Sequence, residues 1–233
     1  MSVGKQINEG YYHNEINNAY HSTDPMDTFA EQINSYNPQY VIDAGCGQNI
    51  WKGKVQNLTG FDWTEYPNND YTCDYEVFDE HTEPGTADFV FCLGSIHQGN
   101  TDNLPLEIFN NLQYVHKWLK PGGRVVMRVR SDVETLYKPR KTPPLRGHLF
   151  LWNIEHIREW GNQLGFRVVK PVELRMVRLN DLSDNDLAEF KKKFDDPRQQ
   201  EIITGEELRR ANNEPVVVPS VLKCWYIWWW QKK

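Results

Sequence analysis

The 233-residue sequence predicts an α/β fold built on a mostly parallel sheet covered by helices. Three observations carry that expectation. Short continuous apolar runs alternate with segments whose apolar residues recur at three- and four-residue spacing. The run ending at Ala44 passes directly into Gly45-Cys46-Gly47, a glycine turn at the carboxyl end of a buried strand. No internal repeat or low-complexity linker divides the chain, so residues 1–233 read as one domain of a size one α/β core can reach.

The elements follow in order. Residues 1–38 form an Asn-rich arm and a first helix. Thr23-Asp24-Pro25 is its start signal, Met26, Phe29, Ile33 and Tyr36 share one face, and Pro38 stops it. Tyr40–Ala44 is the first strand, Leu58–Asp62 the second, and the region from Tyr71 to Asp79 contains a short third. Residues from Ala87 to Leu93 give the strongest strand signal, ending in Gly94 and Ser95. From about Leu104 to Leu119 the spacing of Leu106, Phe109, Leu112, Val115 and Leu119 predicts a helix, which Lys120-Pro121-Gly122-Gly123 ends. Arg124–Arg130 is a fifth strand, followed by a basic, proline-containing loop. A helix capped by Gly165 and a sixth strand from Arg167 to Val177 come next. Residues 178–219 are charged, hold two helices around 184–194 and 205–212, and read as a surface insertion before a last strand rich in tryptophan.

Composition narrows the function classes. A hydrophobic fraction of 39% with 13% aromatic residues excludes wholesale disorder. The net charge of −6 hides an asymmetry: residues 1–120 carry 5 Lys/Arg against 17 Asp/Glu, and residues 121–233 carry 21 against 15. An acidic first half argues against a chain that coats nucleic acid or an anionic membrane, while the second half leaves room for a local basic site. The first 20 residues hold no apolar core segment, so they read as neither secretory signal nor anchor. No run approaches the ~20 apolar residues of a spanning helix. Cys46, Cys73, Cys92 and Cys224 form no C-x-x-C pair, and the seven histidines show no ligand spacing. Neither a disulfide framework nor a metal site is expected, and the location expected is cytoplasmic.

The segment Val41-Ile42-Asp43-Ala44-Gly45-Cys46-Gly47-Gln48-Asn49 carries the chemistry. Glycines there let bare backbone approach a ligand where a Cβ would clash or forbid the turn. A dinucleotide fingerprint would place its third glycine at Ile50, and Asp43 would repel a pyrophosphate; both count against an oxidoreductase. Asp62 ends the second strand 19 residues after Asp43, close to the ~20-residue spacing at which a carboxylate meets ribose hydroxyls.

Asp43-Ala44-Gly45-Cys46-Gly47 resembles the first motif of class I S-adenosylmethionine-dependent methyltransferases, acidic-x-Gly-x-Gly-x-Gly, with Asn49 at the third glycine. Asn tolerates a left-handed backbone better than most residues. The resemblance recurs at Asp62, at Cys73-Asp74-Tyr75, along Asp88–His97, at Leu119–Arg124 before the fifth strand and at Gly165-Phe166. It implies a Rossmann-like three-layer sandwich with a mostly parallel seven-stranded sheet whose last strand is antiparallel. It also implies S-adenosyl-L-methionine as cofactor, with S-adenosyl-L-homocysteine as product.

Asp43, Gly45, Cys46, Gly47, Asp62, Trp63, Asp74, Tyr75, Leu93 and Gly94 are then the expected cofactor-binding residues. The N–H groups from Gly45 to Gln48 would meet the methionine carboxylate, Asp43 the ammonium and Asp62 the ribose. Asp74 would hold the adenine amino group, and Trp63 and Tyr75 would cover the adenine faces. His97 is the candidate for orienting or deprotonating the acceptor. Tyr11 and Tyr12, in an aromatic arm, and the basic residues Arg128, Arg140 and Lys141 are candidates for holding a substrate, an anionic one included. The Asn/Asp-Pro-Pro-Tyr/Phe motif of amino-directed DNA enzymes is replaced by Leu93-Gly94-Ser95-Ile96. A small-molecule acceptor is the first expectation, RNA or protein the alternative, and cofactor binding without catalysis the rival from another class.

Overall fold

A computed structural model describes residues 26–96, 98–99, 103–133, 148–193, 197–216 and 221–233. The elements run α1 (Met26–Asn34), β1 (Val41–Ala44), β2 (Leu58–Asp62), β3 (Tyr71–Thr72), α2 (Tyr75–Asp79), β4 (Ala87–Leu93) and β5 (Gln98–Gly99). They continue as α3 (Leu104–Trp118), β6 (Leu119–Arg130), β7 (His148–Leu149), α4 (Ile154–Gln163) and β8 (Phe166–Arg178). A short 3₁₀ turn (Leu179–Asp181), α5 (Asp184–Lys193), α6 (Pro197–Ala211) and β9 (Val221–Lys232) complete the order. Seven strands make one sheet in the order β3-β2-β1-β4-β6-β9-β8. Strands β3, β2, β1, β4 and β6 pair in parallel, and β9 runs antiparallel to both its neighbours. The chain order reverses between β1 and β4, which places a crevice at the carboxyl ends of those strands.

The two faces of the sheet are covered unequally. Alternate residues Ile42, Ala44, Val90, Cys92, Val125, Met127, Trp228 and Trp230 face α2, α3 and α4, whose Phe78, Ile108, Leu112, Val115, Trp118 and Ile157 complete a large core. Val41, Phe89, Phe91, Val126 and Trp229 face the other way, against Ala30 and Ile33 of α1 and Trp51 and Val55 of a turn-rich segment. The terminal tryptophans are therefore sheet packing: Trp228 and Trp230 are buried on one face and Trp229 on the other.

Several expectations are corrected. In α3 the buried stripe is Leu104, Ile108, Leu112, Val115 and Trp118, whereas Leu106 is 53% exposed. Asn103 caps that helix, and the core side falls on the stripe that includes Trp118, the bulkiest apolar group in it. The region from Tyr71 to Asp79 holds the expected short third strand, of two residues, and then an unforeseen helix, α2, which the Asp74 carboxylate starts by accepting from Val77 N at 3.0 Å. Within 178–219 the second helix begins at Pro197, earlier than the sequence suggested. This segment has its own small core of Leu179, Leu187 and Ile203. Its buried Glu206 is ion-paired to Arg209 and Arg210, and Arg210 also binds Asp184 and the carbonyls of Leu179 and Leu182. Among the described residues no helix is long and apolar enough to cross a membrane.

Candidate functional site

The loop after β1 takes its shape from three left-handed positions, Gly45 (φ +71), Gly47 (φ +53) and Asn49 (φ +51). These are the three motif positions, and Asn49 supplies at the third the conformation the pattern gives to glycine. Gly45 is needed twice over, since any Cβ there would collide with the Cβ of Ser95 at the end of β4. The Ser95 hydroxyl donates to Ala44 O at 2.5 Å, which holds the ends of β1 and β4 together. A Cβ at Gly47 would meet nothing within 4 Å, so the loop leaves open space above its second glycine.

Three of the loop's N–H groups, those of Gly45, Cys46 and Gly47, are engaged inside the protein. Gly45 N and Cys46 N both donate to Phe61 O, at 2.8 and 2.9 Å. Gly47 N donates to Asp62 Oδ2 at 2.9 Å. The Cys46 thiol lies on Asn69 Oδ1 at 3.2 Å, and burial with nearby Asp43 and Asp62 pushes it far up.

Two carboxylates flank the loop. Asp43 is 3% exposed, and burial together with the charge of Asp62 raises its carboxyl to about 7, while Arg128 pulls it down. Asp62 is 8% exposed and raised to about 6 by burial, against the pull of two backbone donors, Thr64 N and Gly47 N. Both groups sit at the carboxyl ends of parallel strands, Asp43 in β1 and Asp62 at the end of β2. Two buried carboxylates are acceptors, suited to a ligand that offers hydroxyl or ammonium donors.

The remaining expected residues divide. Trp63 follows Asp62 at the end of β2 and is half-buried. Leu93 and Gly94 close the end of β4, with Gly94 N donating to Arg128 O at 2.9 Å. Arg128 Nη2 lies 3.5 Å from Leu93 O, at the carboxyl end of β4. Asp74 is exposed and spends one oxygen capping α2. The Tyr75 ring is packed in the core, edge-on to Phe61 at 5.2 Å and stacked on Trp118 at 5.9 Å. Its hydroxyl is buried beside Cys92 and Ser95, and burial pushes it well up. Tyr11, Tyr12, His97, Arg140 and Lys141 lie outside the described residues.

Sequence reasoning passed over Ser95, Asn69 and Gly60. Ser95 was visible as the small residue after Gly94. Asn69 ties the Cys46 thiol to Thr64 O, and Gly60 leaves room for the Asn49 side chain; both roles depend on contacts across the loop.

The strand order, the reversed last strand and the glycine loop at the β1–β4 crevice define the class I methyltransferase fold. No family model matches the sequence, and no curated protein matches it by sequence. Solved structures do match. One is the 1,6-didemethyltoxoflavin-N1-methyltransferase of Burkholderia thailandensis, with bound 1,6-didemethyltoxoflavin and S-adenosylhomocysteine. It gives a TM-score of 0.55 at 14% identity over 100% of this chain and 92% of that one. A SAM-dependent methyltransferase of Thermotoga maritima gives 0.55 at 12% identity over 98% and 99%. At such identities the likeness is one of fold, shared across nearly the whole length of each chain.

Proposed function

We propose that this chain is a methyltransferase that binds S-adenosyl-L-methionine and transfers its methyl group to a small-molecule acceptor. One observation carries the reading. The loop with three left-handed positions at 45, 47 and 49 leaves open space over Gly47, and it lies between two buried carboxylates at the crevice. That arrangement fits the cofactor, which offers a cationic ammonium, a sulfonium and two ribose hydroxyls. Asp43 would take the ammonium and Asp62 the ribose, while Gly47, Trp63, Leu93 and Gly94 would shape the wall. When bound, the sulfonium supplies an already activated methyl group. The protein's part is then to align the acceptor and keep water out.

The acceptor is proposed as a small molecule, in keeping with a crevice set by the sheet itself. Calorimetry with S-adenosylhomocysteine tests the cofactor reading. The parent should bind it, Gly45→Arg should abolish binding through the collision at Ser95, and Asp62→Ala should weaken it by about 10- to 100-fold. If the parent does not bind, or both variants bind as the parent does, the proposal falls. Turnover separates enzyme from binder: S-adenosylhomocysteine should appear from S-adenosylmethionine with a metabolite panel and not without it.

A further inference from the structure

A methionine moiety presents two opposite charges on one carbon, so its receptor needs an anion and a cation close together. Asp43 is the anion. Three of the four backbone groups expected to answer the carboxylate are engaged elsewhere, since Gly45 N and Cys46 N reach Phe61 O and Gly47 N reaches Asp62. The register of the sheet points to another donor. Asp43 pairs with Phe91, and Phe91 pairs with Val126, so these three form one row across β1, β4 and β6. Leu93 pairs with Arg128 in the next row on the same face, one pleat nearer the crevice. Arg128 is half-buried, its guanidinium turns back over the end of β4 to Leu93 O, and its charge acts on Asp43.

We infer that Arg128 is the carboxylate-binding half of a receptor for the zwitterion, with Asp43 the ammonium-binding half, facing each other across the end of β4. A guanidinium suits this work because it offers a carboxylate two parallel donors in a fixed fork. The inference rests on the cofactor reading above. It also differs from a plainer role for Arg128, that of offsetting two buried carboxylates. That role would alter stability and the titration of Asp43 without distinguishing ligands that have a carboxylate from those that lack one.

The test therefore uses three ligands on the full chain by calorimetry, above pH 7 where Asp43 is ionised. They are S-adenosylhomocysteine, its decarboxylated analogue and methylthioadenosine, which has no amino-acid group. The parent should bind S-adenosylhomocysteine about 10- to 100-fold more tightly than the decarboxylated analogue. In Arg128→Met that gap should close, with methylthioadenosine bound as in the parent. Arg128→Lys, which keeps the charge and loses the fork, should show an intermediate gap, and it answers the question if Arg128→Met does not fold. A gap that persists in Arg128→Met, or that is missing from the parent, overturns the inference while leaving the cofactor reading standing. Failure of the parent to bind any of the three overturns the cofactor reading itself.

Discussion

Asp43 and Asp62 give the folded chain a distinctive pH dependence. Their carboxyls are raised from 3.8 to about 7 and about 6, so the folded state holds these two protons more tightly than the unfolded chain. Their contribution to stability is fully present below the unfolded value and is lost as pH rises through the folded ones. The groups acting on Asp43 are Asp62, which adds to the shift, and Arg128, which opposes it. Replacing Asp43 by Asn should stabilise the apoprotein by a few kcal/mol above pH 7 and by almost nothing near pH 4, read from denaturation midpoints at each pH. An equal gain at both values would contradict this account. Ligand binding should run the other way. An ammonium needs the ionised carboxylate, so affinity for S-adenosylhomocysteine should rise through pH 7 in the parent and stay level in Asp43→Asn. Calorimetry across that range checks it, and a level parent profile counts against Asp43 as the ammonium partner.

Between β1 and β2 a single side chain fixes the shape of the loop. Asn49 is buried, donates through Nδ2 to Asn68 O at 2.8 Å and lies over Gly60, where an added Cβ would come within 2.5 Å of that same nitrogen. Gly60→Ala should cost about 1–3 kcal/mol by overpacking. Removing the obstructing side chain with Asn49→Gly should return part of that loss in the double variant, giving a non-additive cycle in chemical denaturation. Strict additivity would mean that the two positions do not press on each other. This pair also marks the limit of what could be read in advance. The left-handed loop was legible because Gly45, Gly47 and Asn49 belong to the small set of residues that adopt positive φ. The need for Gly60 was not, because it arises from a side chain 11 positions away in sequence. The start of α2 was half-legible. Asp74 is a good capping residue, but Tyr71, Thr72 and Tyr75 carry strand propensity, and the cap prevailed after two strand residues. The use of the loop's N–H groups by Phe61 O lay beyond any motif, since motifs record residues and not the carbonyls of the next strand.

The molecule as a whole joins an acidic half and a basic half, and the fold mixes them: Arg128, from the basic half of the sequence, lies one strand across from Asp43 of the acidic half, with β4 between them. The succession of strands along the chain was legible because buried parallel strands read as plain apolar runs, each separated by its own turn signal, whereas their order within the sheet is set by pairings no single run records. The helical hairpin of α5 and α6 was legible as charge but not as a packed unit, since its key group is a buried glutamate. Glu206 is 1% exposed and engages Arg209 and Arg210, which tie into Glu214 O, Asp184 and the 3₁₀ turn. Glu206→Ala leaves two arginines without their shared anion and should cost about 3–5 kcal/mol within the hairpin. Hydrogen exchange should show the loss confined to residues 179–211, with the strands of the sheet protected as before. Spread of the effect into β6 would mean that the hairpin supports the sheet. The position of β9 has a consequence for how such a chain comes off the ribosome. β9 follows β8 in sequence yet lies between β6 and β8, making every ladder contact of β8 with the sheet. Strands β1 to β4 and β6, leaving aside β5, can assemble as they emerge, but β8 must wait for a partner still to be synthesised. During that interval the edge of β6, with Val125, Met127 and Val129 alternating along it, stands open to any passing strand. Late synthesis of the wedge thus leaves an interval in which the open edge of β6 can accept a foreign strand.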